Sequence, residues 1–184
     1  TGGITLDSKD ILAFWFDEIE SAKWWAKDIE FDEMVTQRFA DIHRRANCGE
    51  LFHWRETPEG RLAEIIVLDQ FSRNMFRDTP ASFASDSLAL ILAQEAINQG
   101  VEQKLNQSQR NFLYMPYMHS ESLIIHDIAM QLYERNDSQS SVDFEIKHRN
   151  IIQKFGRYPH RNAILGRVST QAELEFLTQA NSSF

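Results

Sequence analysis

Apolar residues recur along this chain at intervals of three and four, and no stretch alternates at period two over the length of a strand. That spacing predicts an all-α protein. Ile11, Leu12, Trp15, Phe16 and Ile19 form one stripe behind a cap at Asp7 or Ser8. Phe31, Val35, Phe39, Ile42 and Ala46 form a second, opened at residues 28–32 and stopped at Asn47 and Gly49. Between them, Trp24 and Trp25 are expected to plug the gap between helices, and residues 50–55 read as a connector.

Thr57-Pro58, a cap followed by a first-turn proline, opens a helix that runs to Arg77. A further helix over 85–99, ended by Gly100, carries Ala84, Ala89, Ala93 and Ala96, small enough for a neighbour to approach closely. Residues 108–115 predict a short helix stopped by Pro116. The next begins near Ser120 with Glu121, Ile125, Ile128 and Leu132 aligned, and residues 136–141 form a polar loop. Over 142–155, Phe144, His148, Ile151 and Phe155 share one line ahead of Gly156, and the capping box of Thr170 and Glu173 opens a last short helix. The expectation is seven to nine helices packed as antiparallel hairpins in a single domain, 1–184, with residues 1–6 flexible or appended.

The central helix departs from a plain core pattern. At 100° per residue, Leu62, Ile65, Ile66, Asp69, Arg73 and Phe76 share one side, while Val67, Leu68 and Phe71 take the other. A helix apolar all round is an interior helix, so Asp69 and Arg73, spaced i and i+4, read as a buried pair. Burying two charges costs several kcal/mol unless each is paired and hydrogen-bonded, so other polar groups are required nearby. Gln70, Asn74 and Arg77 flank the pair. Glu121 beside His119 and the mid-stripe His148 also place ionisable groups where packing calls for apolar ones, and the stripes would bring all of them towards one interior.

Composition narrows the function. The chain has 184 residues and a net charge of −8, which argues against a general nucleic-acid binder, since neutralising phosphates needs a basic face. No run approaches the length of a membrane span, and the single Cys48 has no partner for an internal disulfide, so the expected compartment is the cytoplasm. Against the acidic background, residues 147–167 contain Lys147, Arg149, Lys154, Arg157, Arg161 and Arg167 with His148 and His160 and no acid. These cations either hold an anionic ligand or neutralise internal acids such as Asp69, Asp86 and Glu121. Arg157 to Asn162 lies on a loop, where functional groups concentrate.

Two functional readings follow. In the first, Asp69, Gln70, Arg73, Asn74, Arg77, Arg157, His160, Arg161, Asn162 and Arg167 line a pocket for a small anionic molecule or an acidic peptide. In the second, His119 or His148 is a general base oriented by Glu121 or Asp69, in a hydrolase or proton-transfer enzyme. Binding is ranked first; a purely structural network scaffolding protein partners is the third possibility. No cofactor is expected: the chain has no Gly-x-Ser-x-Gly elbow and no Gly-rich phosphate loop. No metal is expected either, because Glu50-x-x-His53 begins at a helix end and Glu145 lies off the stripe that carries His148.

The runs Leu68-Asp69-Gln70-Phe71-Ser72-Arg73-Asn74-Met75-Phe76-Arg77, Phe112-Leu113-Tyr114-Met115-Pro116-Tyr117-Met118-His119-Ser120-Glu121 and Phe155-Gly156-Arg157-Tyr158-Pro159-His160-Arg161-Asn162 resemble the bacterial family catalogued as domain of unknown function 924. The resemblance spans nearly the whole chain and implies tetratricopeptide-like helical hairpins without implying an activity. His126 stands where the family pattern expects glutamine, and Ser72 where it expects proline.

Overall fold

The computed structural model describes residues 5–184, and every regular element among them is helical. Most helices begin where a side chain can satisfy their free amides. The first, α1 (Ser8–Ala13), starts with a reciprocal cap between Asp7 and Asp10 and continues as a π turn, Phe14–Glu18. Asp28 caps α2 (Ile29–Asn47), which stops before Gly49 at φ 74°, a left-handed conformation that favours glycine. Thr57 caps α3 (Pro58–Ile66), which passes through a second π turn, Val67–Phe71, into α4 (Ser72–Met75). The order continues with α5 (Asp86–Asn98), α6 (Gln107–Met118), α7 (Leu123–Arg135), α8 (Gln139–Phe155), α9 (Asn162–Leu165) and α10 (Gln171–Leu177).

The α3 segment and its continuation form the axis. Leu62, Ala63, Ile65, Ile66, Val67, Leu68 and Phe71 are fully buried because α1, α2, α5 and α6 pack around them. The aromatic centre of the core joins Phe14, Trp15, Phe39 and Phe71, with Phe112 of α6 edge-on to Trp15. Ala89, Ala93 and Ala96 are buried on α5, as their size allows, whereas Ala84 precedes that helix and is exposed. From α6 onward α7 and α8 pack in succession, and a second cluster forms from Ile151, Ile152 and Tyr158 with Phe155 and Phe176.

Several expectations change, each for a local reason. Pro116 does not stop α6, which runs on to Met118; the proline lacks one helical donor but its neighbours are buried and hold the turn. The connector after α2 contains a 3₁₀ helix, Phe52–Glu56. Trp24 fills the gap against Trp15, Phe16 and Phe112, but Trp25 is 64% exposed. The α7 helix begins after Ser122, so Glu121 lies in the preceding turn, and its hidden face is His126, Ala129, Leu132 and Tyr133 rather than the line through Ile128. The α8 helix starts inside the expected loop, and its buried face holds Glu145, His148, Ile151 and Ile152, while Phe144 is 54% exposed. Of the segment expected to be flexible or appended, residues 1–4 lie outside the described residues, Thr5 is exposed, and Leu6 packs against the core.

Candidate active site

Asp69 and Gln70 sit within the π turn Val67–Phe71. Such a wide turn weakens the local hydrogen-bond ladder and re-aims side chains, and it recurs at functional sites. Here the Ser72 hydroxyl donates to the Leu68 carbonyl at 2.6 Å. The Asp69 carboxylate, fully buried, accepts from His119 Nδ1 at 2.7 Å and from Gln70 Nε2 at 2.8 Å. Arg73 Nη1 lies 3.6 Å from the same carboxylate and donates to the Asp69 carbonyl at 3.0 Å. Burial works against the Asp69 charge, but the His119 ring and the Arg73 guanidinium, together with the bonds from His119 and Gln70, hold the carboxyl below its usual range.

His119 occupies the position just after α6, reached only because that helix continues past Pro116. Burial first, then the Arg73 charge, push its pKa below the ordinary histidine value, so the ring is neutral at pH 7. With an ionised Asp69 accepting from Nδ1–H, the tautomer is set: Nε2 carries the lone pair. Among the described residues the His119 side chain bonds through Nδ1 alone, so Nε2 has no protein partner, and the side chain is 14% exposed.

A row of alternating charges leads away from this pair. Arg73 forks onto both oxygens of Asp86 at 2.8 and 3.0 Å. Arg161 Nη1 lies 3.8 Å from Asp86 and 4.0 Å from Glu121. Arg167 forks onto Glu121 at 2.9 and 3.0 Å, and Glu121 also accepts the Tyr158 amide at 2.6 Å. Burial opposes the charge on Glu121, and these donors outweigh it, keeping the carboxyl below its usual range. The ladder therefore joins α3–α4, the start of α5, the α6–α7 turn and the loop after α8.

Not every residue singled out in the sequence joins it. Arg77 and Asn74 both bind Asp32 of α2, at the edge of an open depression also lined by Ile29, Thr36 and Met75. Arg157 forks onto Glu173 of α10. Asn162 braces the same region, accepting from Arg167 Nε at 2.9 Å and donating to Ser169 and Glu173. The carboxylate bonded to the His119 ring is Asp69, while Glu121 is taken up by Arg167 and the Tyr158 amide.

Three other histidines, His126, His148 and His160, gather around Tyr158. His148 Nδ1 donates to the Phe144 carbonyl at 2.6 Å, and its ring is stacked on Phe184 with centroids 3.9 Å apart. His160 meets Tyr158 and Phe184 at 5.7 and 5.5 Å. Burial lowers the pKa of both to about 3. Sequence reasoning gave His126 no role beyond a departure from the family pattern and set Glu145 off the stripe of His148; both are fully buried and bonded Nδ1 to carboxylate at 2.8 Å. His126 Nε2 donates to the Ser120 carbonyl at 2.6 Å, and burial raises the Glu145 carboxyl above its usual range. The i, i+3 spacing of Glu145 and His148 was the available signal that both face inward.

These features define an all-helical protein with a buried carboxylate–imidazole pair on a π turn, tied by an alternating charge ladder to a C-terminal loop. The chain belongs to the family described as bacterial protein of unknown function (DUF924), whose model matches residues 11–181. It is also similar to the solved structure of a protein of unknown function, ATU0120 from Agrobacterium tumefaciens. The two are 38% identical with a TM-score of 0.88, over 92% of this chain and 96% of that one. A comparison with curated proteins found no match. Among the described residues no helix is long and apolar enough to cross a membrane.

Proposed function

We propose that the chain is an enzyme in which His119 Nε2 acts as general base, oriented by Asp69, in a hydrolytic or proton-transfer reaction. The observation that carries this reading is the 2.7 Å bond from His119 Nδ1 to a fully buried carboxylate, with the opposite ring nitrogen unpartnered. A water or substrate group bonded to Nε2 loses its proton to the ring as the reaction proceeds. The imidazolium that forms is stabilised by Asp69, which stays ionised throughout. The ordering of the two functional readings reverses on the placement of the arginines. Arg73, Arg77, Arg157 and Arg167 each fork onto a carboxylate of the protein, so a general arginine-lined anion pocket loses most of its members.

The test is hydrolysis of p-nitrophenyl acetate and p-nitrophenyl phosphate by the wild type, His119→Gln and Asp69→Asn. Positioned general bases contribute roughly 10²–10⁴-fold, so His119→Gln should lose at least the lower part of that range and Asp69→Asn a substantial share of it. Equal rates in wild type and His119→Gln, or no acceleration of either ester, overturn the reading.

A further inference from the structure

Arg161 stands apart from the other arginines in how little of its hydrogen-bonding capacity the protein meets. The residue is 6% exposed, yet its side chain makes a single hydrogen bond, from Nη2 to the His119 carbonyl at 2.9 Å. Its Nη1 is beyond hydrogen-bond reach of Asp86 and Glu121, at 3.8 and 4.0 Å. Its Nε is buried and meets no protein acceptor, and the same is true of Nδ1 on the neighbouring His160. A guanidinium carries five N–H donors, so most of this one's remain uncommitted.

The guanidinium is nevertheless held in place. The Phe83 and Tyr158 rings lie 4.4 and 4.7 Å from its central carbon. Aromatic contacts at this range restrain a guanidinium by its faces and leave hydrogen bonding to its edges. The nearby carboxylates supply charge balance without taking the donors. An oxygen arriving at hydrogen-bond distance interacts more strongly with the cation than either of them does from its longer range.

We infer that Arg161 is the docking point for an oxyanion, the carboxylate or phosphate group of a small-molecule substrate, next to His119. The inference rests on His119 being the reacting base and adds the class of substrate. The bond from Nη2 to the His119 carbonyl joins the anchor directly to the residue that carries the base, so the anionic group and the reacting centre belong to the same end of the molecule.

The test is titration of the wild type, Arg161→Lys, Arg161→Met and Arg149→Met with inorganic phosphate and, separately, with acetate. Sodium chloride holds the ionic strength constant, and the His119 ring and Arg161 Nε–H resonances are followed by NMR. Arg149, paired with Asp127 on the surface, serves as the charge control. The expected result is a saturable shift in the wild type with at least one anion, the responding probe separating phosphate from carboxylate. Arg149→Met should behave like the wild type, and Arg161→Lys should bind roughly tenfold more weakly because it loses the planar fork. No saturable shift in the wild type with either anion overturns the inference, as does an unchanged affinity in Arg161→Lys. Should Arg161→Met fail to fold, the wild type and the lysine variant decide. Binding needs no turnover, so inactive esters with intact anion binding sink the general-base reading alone, and active esters without anion binding sink only this one.

Discussion

His148→Leu should remove a defined part of the protein's acid sensitivity. Burial lowers the His148 pKa to about 3, and the Phe144 carbonyl, whose bond favours the charged ring, only partly opposes this. In the unfolded chain the ring titrates near about 6.5. Between these values the unfolded state binds a proton that the folded state refuses, so the stability present above the unfolded pKa is lost as pH falls. At about 1.4 kcal/mol per pH unit, the loss reaches about 2 kcal/mol by pH ~5. Leucine has no such proton, keeps an apolar contact for Phe184, and leaves the Phe144 carbonyl its helical partner. Whatever constant offset the substitution brings, the stability difference between wild type and variant should therefore move by about 2 kcal/mol in the variant's favour between pH ~7.5 and pH ~5. Urea unfolding at a series of pH values, followed by far-ultraviolet circular dichroism, measures it. A difference that stays constant across that range refutes the argument.

Two other substitutions probe packing, one at the start of α3 and one around His148. A Cβ at Gly60 would lie 1.9 Å from the Trp54 carbonyl oxygen, a backbone atom with no rotamer to yield, so Gly60→Ala should cost about 3 kcal/mol or more in a urea melt. A loss well below 1 kcal/mol would show that the turn before α3 gives way easily. Phe184→Ala should uncover the His148 ring and raise its carbethoxylation by diethyl pyrocarbonate severalfold, mapped by mass spectrometry. An unchanged rate would mean that Phe184 does not shield it.

The helices were legible because caps and stops are local. Asp28, Thr57, Gly100, Gly156 and Thr170 act within a few residues of themselves, and each does in the structure what its type and position suggest. The interior character of α3 was equally plain, since an apolar helix has no solvated face. What escaped was rotation. On α8, Phe144 and Glu145 compete for the inward position, hydrophobicity favours the wrong one, and only His126 on another helix makes the acid tolerable there. The same holds for Arg73, whose i, i+4 partner Asp69 is the obvious choice on a regular helix. A wide turn and the distant Asp86 redirect it, and neither leaves a trace in local spacing. Asp69 was found as a buried acid, but its pairing with His119 depends on a proline that the helix absorbs.

The π turn also constrains how the chain can change in length. It is what a helix looks like when one residue has been added without breaking the run. Deleting one residue from Val67–Phe71 would restore ordinary winding and leave everything downstream facing nearly the same way, because the wide turn holds one residue more than an ordinary one over almost the same rotation. Arg73 would still face Asp86, and Asn74 and Arg77 would still face Asp32, while Leu62 to Ile66 stayed seated in the core. A single deletion here would therefore be absorbed better than one elsewhere in the helix, where every later side chain would turn by about 100°, and its cost would fall on Asp69 and Gln70, which the wide turn itself holds. Relatives can therefore keep both the buried face before the turn and the ion pairs after it with one residue fewer between them, the helix then running through without a wide turn and without its hold on Asp69.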